Sequence, residues 1–174
     1  GGPRVRLRAD DGGLAIDLVA AGDGADGATA NDPGDVDDGP NALLNAPVLE
    51  AADAGGDLLR IEGSLSSAPA TAYEVELYVS ESCDPSGRGE GARLLACVPL
   101  LTGESGEAPF ELALDPGAFA PGVMQGSAAG GSRISALAVD PAGNTSEFSN
   151  CVSVTVVPVR LLSLTAAGTP GGVQ

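Results

Sequence analysis

The sequence predicts an all-β chain: an antiparallel β-sandwich of about seven short strands, preceded by an extended N-terminal arm and followed by a C-terminal strand. Three observations predict it. Apolar and polar residues alternate with a period of two, as in "YEVELYV", where Tyr73, Val75, Leu77 and Val79 alternate with Glu74, Glu76 and Tyr78. Turn clusters rich in Gly, Pro, Asp, Asn and Ser recur at intervals of roughly ten residues. No segment keeps apolar residues at helical spacing over three turns. This strand spacing is the pattern of immunoglobulin- or fibronectin-type sandwiches.

Residues 1 to 45 form the arm. Arg4-Val5-Arg6-Leu7-Arg8 and Leu14-Ala15-Ile16-Asp17-Leu18 alternate over spans too short to make a core, and a long acidic, Gly-rich connection follows them. The sandwich occupies 46 to 157. Its expected strands are Pro47 to Ala52, Leu58 to Leu65, Ala72 to Ser80, Arg93 to Leu101, Phe110 to Leu114, Arg133 to Val139 and Glu147 to Val157. They are separated by "DAGG", "SSAPA", "CDPSGRGEG", "TGESGE" and "DPAGN". Pro158 would interrupt a central ladder, so 158 to 174 are expected to form a separate strand or to begin a further domain.

Composition limits function. Aromatics are 3% of the chain, so the core must be built from Val, Leu, Ile and Ala, and 26 Gly with 13 Pro call for frequent turns. Against 24 acidic residues stand eight arginines, with no lysine and no histidine, for a formal net charge of −16. Phosphate backbones and anionic membrane surfaces repel such a chain, which argues against nucleic acid as a partner. No window reaches the roughly 18 apolar residues a membrane span requires, so no membrane insertion is expected. The chain opens without Met, at "GGPRVRLRAD", and reads as a piece of a longer precursor. An excess of carboxylates suits a high-salt medium or the binding of divalent cations.

Two acidic stretches have the donors calcium prefers. "NDPGDVDDGPN" places Asn31, Asp32, Asp35, Asp37, Asp38 and Asn41 within a short, flexible loop. Four carboxylates this close repel one another, and a hard cation with oxygen ligands would relieve that repulsion. The spacing is not that of an EF-hand, and a solvated acidic linker is the alternative. Asp140-Pro141-Ala142-Gly143-Asn144 is a turn by its chemistry, reversing the chain between the sixth and seventh strands. Asp140, Asn144 and Glu147 there could help hold calcium at one pole, or the stretch could be a plain connection. Asn144-Thr145-Ser146 has the pattern of an N-glycosylation acceptor.

Catalytic constellations are scarce. Without histidine there is no Ser-His-Asp or Cys-His arrangement, and three scattered cysteines do not make a zinc site. "CDPSGRGEG" lacks the Gly-Lys-Ser ending of a phosphate loop. The chain is expected not to be an enzyme. Cys83, Cys97 and Cys151 allow one intrachain bridge with one thiol left over, or three buried thiols.

Three blocks in order, "NDPGDVDDGPNALLNAPVL" (31 to 49), "ESCDPSGRGEGARLL" (81 to 95) and "AVDPAGNTSEFSNCVSV" (138 to 154), resemble a module of large secreted bacterial surface proteins. In that family an immunoglobulin-like sandwich follows a right-handed parallel β-helix. The likeness covers about residues 14 to 156. The arm is similar to the last rung and exit loop of such a β-helix, and "VPVRLLSLTAAGTPGGVQ" to the first strand of a fibronectin type III-like domain. The resemblance implies an extracellular or cell-surface location, an adhesive or structural role, and a Cys83 to Cys151 disulfide. Cys97 departs from it, since the family has a small or polar residue there.

The resulting expectation is a non-catalytic structural or adhesive module whose partners are other copies of itself or neighbouring domains. An alternative is a filament or surface-array subunit completed by a strand of the next subunit, with Val5 and Leu7 or Val159, Leu161, Leu162 and Leu164 as the donated residues. A carbohydrate- or protein-binding module is a third class, and two tyrosines with three phenylalanines scarcely provide its aromatic patch.

Overall fold

In the computed structural model, residues 4–7, 13–20, 27–55, 58–115 and 131–157 are described. The chain is all-β: two four-stranded sheets packed face to face, with a separate two-stranded sheet in the arm. The strands are β1 (Arg4–Leu7), β2 (Ile16–Val19), β3 (Val48–Gly55), β4 (Leu58–Ser66), β5 (Ala72–Ser80), β6 (Arg93–Leu101), β7 (Glu107–Leu114), β8 (Arg133–Val139), β9 (Val152–Ser153) and β10 (Thr155–Val156). One layer runs β10-β3-β4-β7 and the other β6-β5-β8-β9. Val5 and Leu7 lie in β1, which pairs antiparallel with β2 of the same chain at Val5 to Leu18 and Leu7 to Ile16. Val159, Leu161, Leu162 and Leu164 lie outside the described residues.

The core follows from the two-residue period. Leu59 and Ile61 of β4 pack with Val75 and Leu77 of β5 and Ile134 and Ala136 of β8, all of them fully buried, while Leu65 packs with Tyr73 and Ala138 in a second cluster. Burying each of the larger side chains contributes about 1.5 to 3 kcal/mol, which makes this aliphatic layer the main favourable contact between the sheets. Gly63 takes an inward place on β4 because Phe110 fills the space opposite. A Cβ on Gly63 would lie 2.7 Å from the Phe110 ring.

Three expected strands differ from those observed. β3 runs on through Asp53 and Ala54 to Gly55 rather than ending at Ala52, paired with β4 to its first residue. β7 starts at Glu107 rather than Phe110, because it is an outer edge where Pro109 breaks no ladder bond toward a further strand. The single strand expected over Glu147 to Val157 is instead an irregular crossing followed by two short strands in opposite sheets. Ser146 Oγ and Ser149 Oγ accept from Ala138 N and Ala136 N, both at 2.9 Å, so hydroxyls stand in for a backbone ladder beside β8. Asn150 then bridges to the other layer, accepting from Leu49 N at 2.9 Å and donating to Leu49 O at 2.8 Å. After the crossing β9 pairs antiparallel with β8, whereas β10 pairs parallel with β3. The sandwich is therefore antiparallel except at β10.

"RISALAV" also departs from half-burial, for Ile134 to Ala138 are all buried. Its outer face is covered by the loop between β5 and β6. Gly89 sits so close over Ser135 that a Cβ would fall 2.1 Å from the serine Cβ, and Gly91, at φ +61, packs equally tightly on Phe148. Phe148 in turn meets Tyr78 edge-on at 5.3 Å. The same loop bonds the crossing segment through Gly89 N to Ser149 O (3.1 Å) and Cys151 N to Gly87 O (2.9 Å). Cys83 and Cys151 form a disulfide across this contact, with 5.9 Å between Cα atoms, and Cys97 is free and exposed.

Candidate metal site and arm anchor at one pole

The acidic loop is folded by its asparagines. Asn31 donates to Ala46 O (2.7 Å) and accepts from Ala46 N (2.9 Å), copying a backbone pair. Asn45 is buried, and its amide donates to Asp32 O (2.7 Å) and Ser66 O (2.9 Å) while accepting from Asp32 N (2.9 Å). These bonds turn the chain back so that Asp32, Asp35 and Asp37 each place one carboxylate oxygen within 4.8 Å of the others. Asp35 reaches its place through positive φ, 54°, next to Gly34 at 78°.

Holding three carboxylates together has a cost visible in their protonation. Burial pushes the Asp35 carboxyl above its ordinary value, and Asp32 and Asp140 push the same way, against hydrogen bonds from Ser67 and the Asn45 N–H. Asp37 is raised by burial, then by the charges of Asp32 and Asp35. Asp32 Oδ1 and Asp37 Oδ1 are buried and have no hydrogen-bond partner among the described residues. Hard oxygen donors with uncommitted lone pairs fit a calcium ion, which takes six to eight oxygens. Asp35 is the most heavily used of the three: Oδ1 accepts from Asn45 N at 3.1 Å and Oδ2 from Ser67 Oγ.

The other residues singled out in the sequence stand around this cluster. Asp38 is exposed and outside it. Asn41 turns its amide to Thr145, donating to the carbonyl at 3.0 Å and the hydroxyl at 2.8 Å. Asp140 and Asn144 satisfy each other: Asp140 Oδ1 accepts from Ala142 N and Asn144 N, both at 2.8 Å, and Oδ2 from Asn144 Nδ2 at 2.7 Å. With three donors on one carboxylate the turn closes by itself. Ser146, the hydroxyl residue of the glycosylation pattern, is fully buried and bonded to Ala138 N and Glu147 O.

Glu147 has a different task. It is 3% exposed, and its carboxylate accepts from Leu18 N and Thr29 N, each at 2.9 Å, and from Thr29 Oγ1 at 3.3 Å. Burial raises its pKa above the ordinary value, against those bonds and the charge of Arg88. The partners lie 129 and 118 residues away along the chain, so Glu147 fastens the arm to the sandwich. The sequence groups it with Asp140 and Asn144 as a calcium ligand, and nothing in that pattern announces a buried anion bonded to the arm.

A second group on the outer face of the other sheet went unnoticed in the sequence. Glu74, Glu76 and Cys97 bring ligand atoms within 4.8 Å of one another across the β5 to β6 ladder, where Glu76 lies directly opposite Cys97. Burial and then the two carboxylates push the Cys97 thiol up, so it stays protonated. Among the described residues no helix is long and apolar enough to cross a membrane. No family model matches the chain, and no curated protein matches it.

Proposed function

We propose that the chain is a non-catalytic structural module of an extracellular, cell-surface protein, in which the sandwich serves as a rigid seat for the arm that precedes it. The observation that carries this reading is the buried Glu147 carboxylate, which joins β2 and Thr29 to the segment following β8. Such a joint transmits force and orientation between neighbouring elements, as spacing and presenting require. Two features support it. The Cys83 to Cys151 disulfide suits an oxidising compartment. The Asp32, Asp35 and Asp37 cluster lies beside the same joint, where calcium would neutralise the carboxylates and stiffen the junction.

The test is Glu147→Ala read by amide hydrogen exchange in the full chain. The expected result is lost protection at Leu18 and Thr29 with protection kept at Val75 and Ile134, which lie in the core between the sheets. Unchanged protection at Leu18 and Thr29 would remove the joint and with it the reading.

One observation favours the filament alternative. β6 is an outer edge nine residues long, and it exposes Leu94 and Leu101, the latter at 68%, so it could receive a strand from another copy. That reading requires assembly to grow with concentration in sedimentation and to stop when Leu101 is replaced by Lys. A chain that stays monomeric throughout would exclude it.

A further inference from the structure

Two turns of this chain share a sequence pattern and a backbone but hold their aspartates differently. Asp84-Pro85-Ser86-Gly87 and Asp140-Pro141-Ala142-Gly143 each close with a glycine N–H donating to the aspartate carbonyl, at 2.8 Å for Gly87 and 3.0 Å for Gly143. Both glycines have positive φ, 84° and 86°. In both, the aspartate Oδ1 accepts from the N–H two residues on, Ser86 N at 2.7 Å and Ala142 N at 2.8 Å. There the likeness ends. Asn144 adds two bonds to Asp140, from its backbone N–H to Oδ1 and from Nδ2 to Oδ2. Asp84 is 6% exposed, and its Oδ2 is buried with no hydrogen-bond partner among the described residues.

That difference bears on covalent chemistry. An aspartate carboxylate can attack its own main-chain carbonyl carbon, closing a five-membered ring, and a following proline supplies a good leaving group because its nitrogen is a tertiary amide. We propose that the Asp84–Pro85 peptide bond is a self-scission site, with the Asp84 carboxylate as nucleophile, and that Asp140–Pro141 is its protected counterpart. The carboxylate oxygen forms a bond to the Asp84 carbonyl carbon, and the bond to the Pro85 nitrogen breaks. The electron pair stays on that nitrogen, which takes a proton from solvent. Water then opens the cyclic anhydride, restoring the side-chain carboxylate and leaving a new terminal one. The Gly87 N–H already on the Asp84 carbonyl oxygen stabilises the charge that develops there. Asp140 must first release Asn144 before its carboxylate can turn to the same attack.

The cut falls inside the loop closed by the disulfide. Cys83 stays with residues 1–84 and Cys151 with 85–174, so the two pieces remain joined until the disulfide is reduced. This activity is independent of the structural role proposed above and would convert one chain into a disulfide-linked pair without unfolding the sandwich.

The experiment incubates the full folded chain in mildly acidic buffer, then reduces it and weighs the products by mass spectrometry over time. Pieces 1–84 and 85–174 should form at least about tenfold faster than 1–140 and 141–174, the low end of what the Asn144 Nδ2 bond to Asp140 Oδ2, a bond to a charged acceptor, is worth. In denaturant, where no carboxylate is held, all four Asp–Pro bonds of the chain, 32–33 and 115–116 included, should be cut at similar rates. Asn144→Ala should bring the 140–141 cut up toward the 84–85 rate, and Asp84→Asn should abolish the 84–85 cut. Equal rates at the two bonds in the folded chain would overturn the proposal. So would an intact 84–85 bond over a time in which the denatured chain is cut.

Discussion

Removing the Cys83 to Cys151 bridge tests how much of this fold is held by constraint rather than by its core. The perturbation is the double variant Cys83→Ala with Cys151→Ala, since either single variant would leave a thiol free to exchange with Cys97. The bridge closes a loop spanning a sequence separation of 68. In the chain-entropy treatment that loop removes about 15 cal/mol/K from the unfolded chain, or about 4.4 kcal/mol at 25 °C. For a chain of this length the melting temperature should drop by about 10 to 15 °C. Urea unfolding followed by far-ultraviolet circular dichroism measures it directly, and the slope against denaturant should steepen because the released chain exposes more surface. A loss below about 1 kcal/mol with an unchanged slope would refute the reasoning. It would mean that the loop against Phe148 and Ser149 constrains the unfolded chain with or without its sulfurs.

Three further outcomes are expected. In low-salt, metal-free buffer, stability should fall as pH rises from the ordinary carboxylate range through the raised values of Glu147, Asp35 and Asp37, then level off. The sign follows because a raised folded pKa means the native state holds its proton more tightly than the unfolded chain; Glu147→Gln should remove the Glu147 share of that slope. Calcium should raise the melting temperature at low ionic strength, with chelator reversing it and Asp35→Asn weakening the response; a titration with no shift disposes of the calcium site. Gly89→Ala should cost about 3 kcal/mol or more, because its methyl would fall 2.1 Å from the Ser135 Cβ, whereas Gly143→Ala, at φ +86 in open space, should cost about 1 to 2 kcal/mol of backbone strain, a ranking urea unfolding can check.

Much of the fold was legible because its signals are local. The alternation in β4 and β5 marks which side chains meet the core, and the observed bounds of β5, β6 and β8 match the expected ones. β7 begins three residues before the expected Phe110 and includes Pro109, which only a position at the sheet edge makes harmless. The stretch after Asp140 was misread for a related reason. The expected strand over Glu147 to Val157 overlooks that the side chains of Ser146, Ser149 and Asn150 bond main-chain N–H groups of β8 and β3. At the candidate site the acidic loop could be seen from composition, but not that Asp32, Asp35 and Asp37 would converge while Asp38 faced solvent. That sorting depends on the asparagine bonds of Asn31 and Asn45.

By itself, then, the sequence determined the class of structure, the faces of most strands and the places where the chain turns, since these depend on neighbours two to five residues apart. Tertiary structure alone decided that β8 would be covered on both sides, that β10 would pair parallel to β3, and that Glu147 would be an anchor rather than a surface carboxylate. The physical reason is the same in each case. A buried polar group takes its meaning from the donors that reach it, and here those donors come from up to 129 residues away, a distance no local pattern reports.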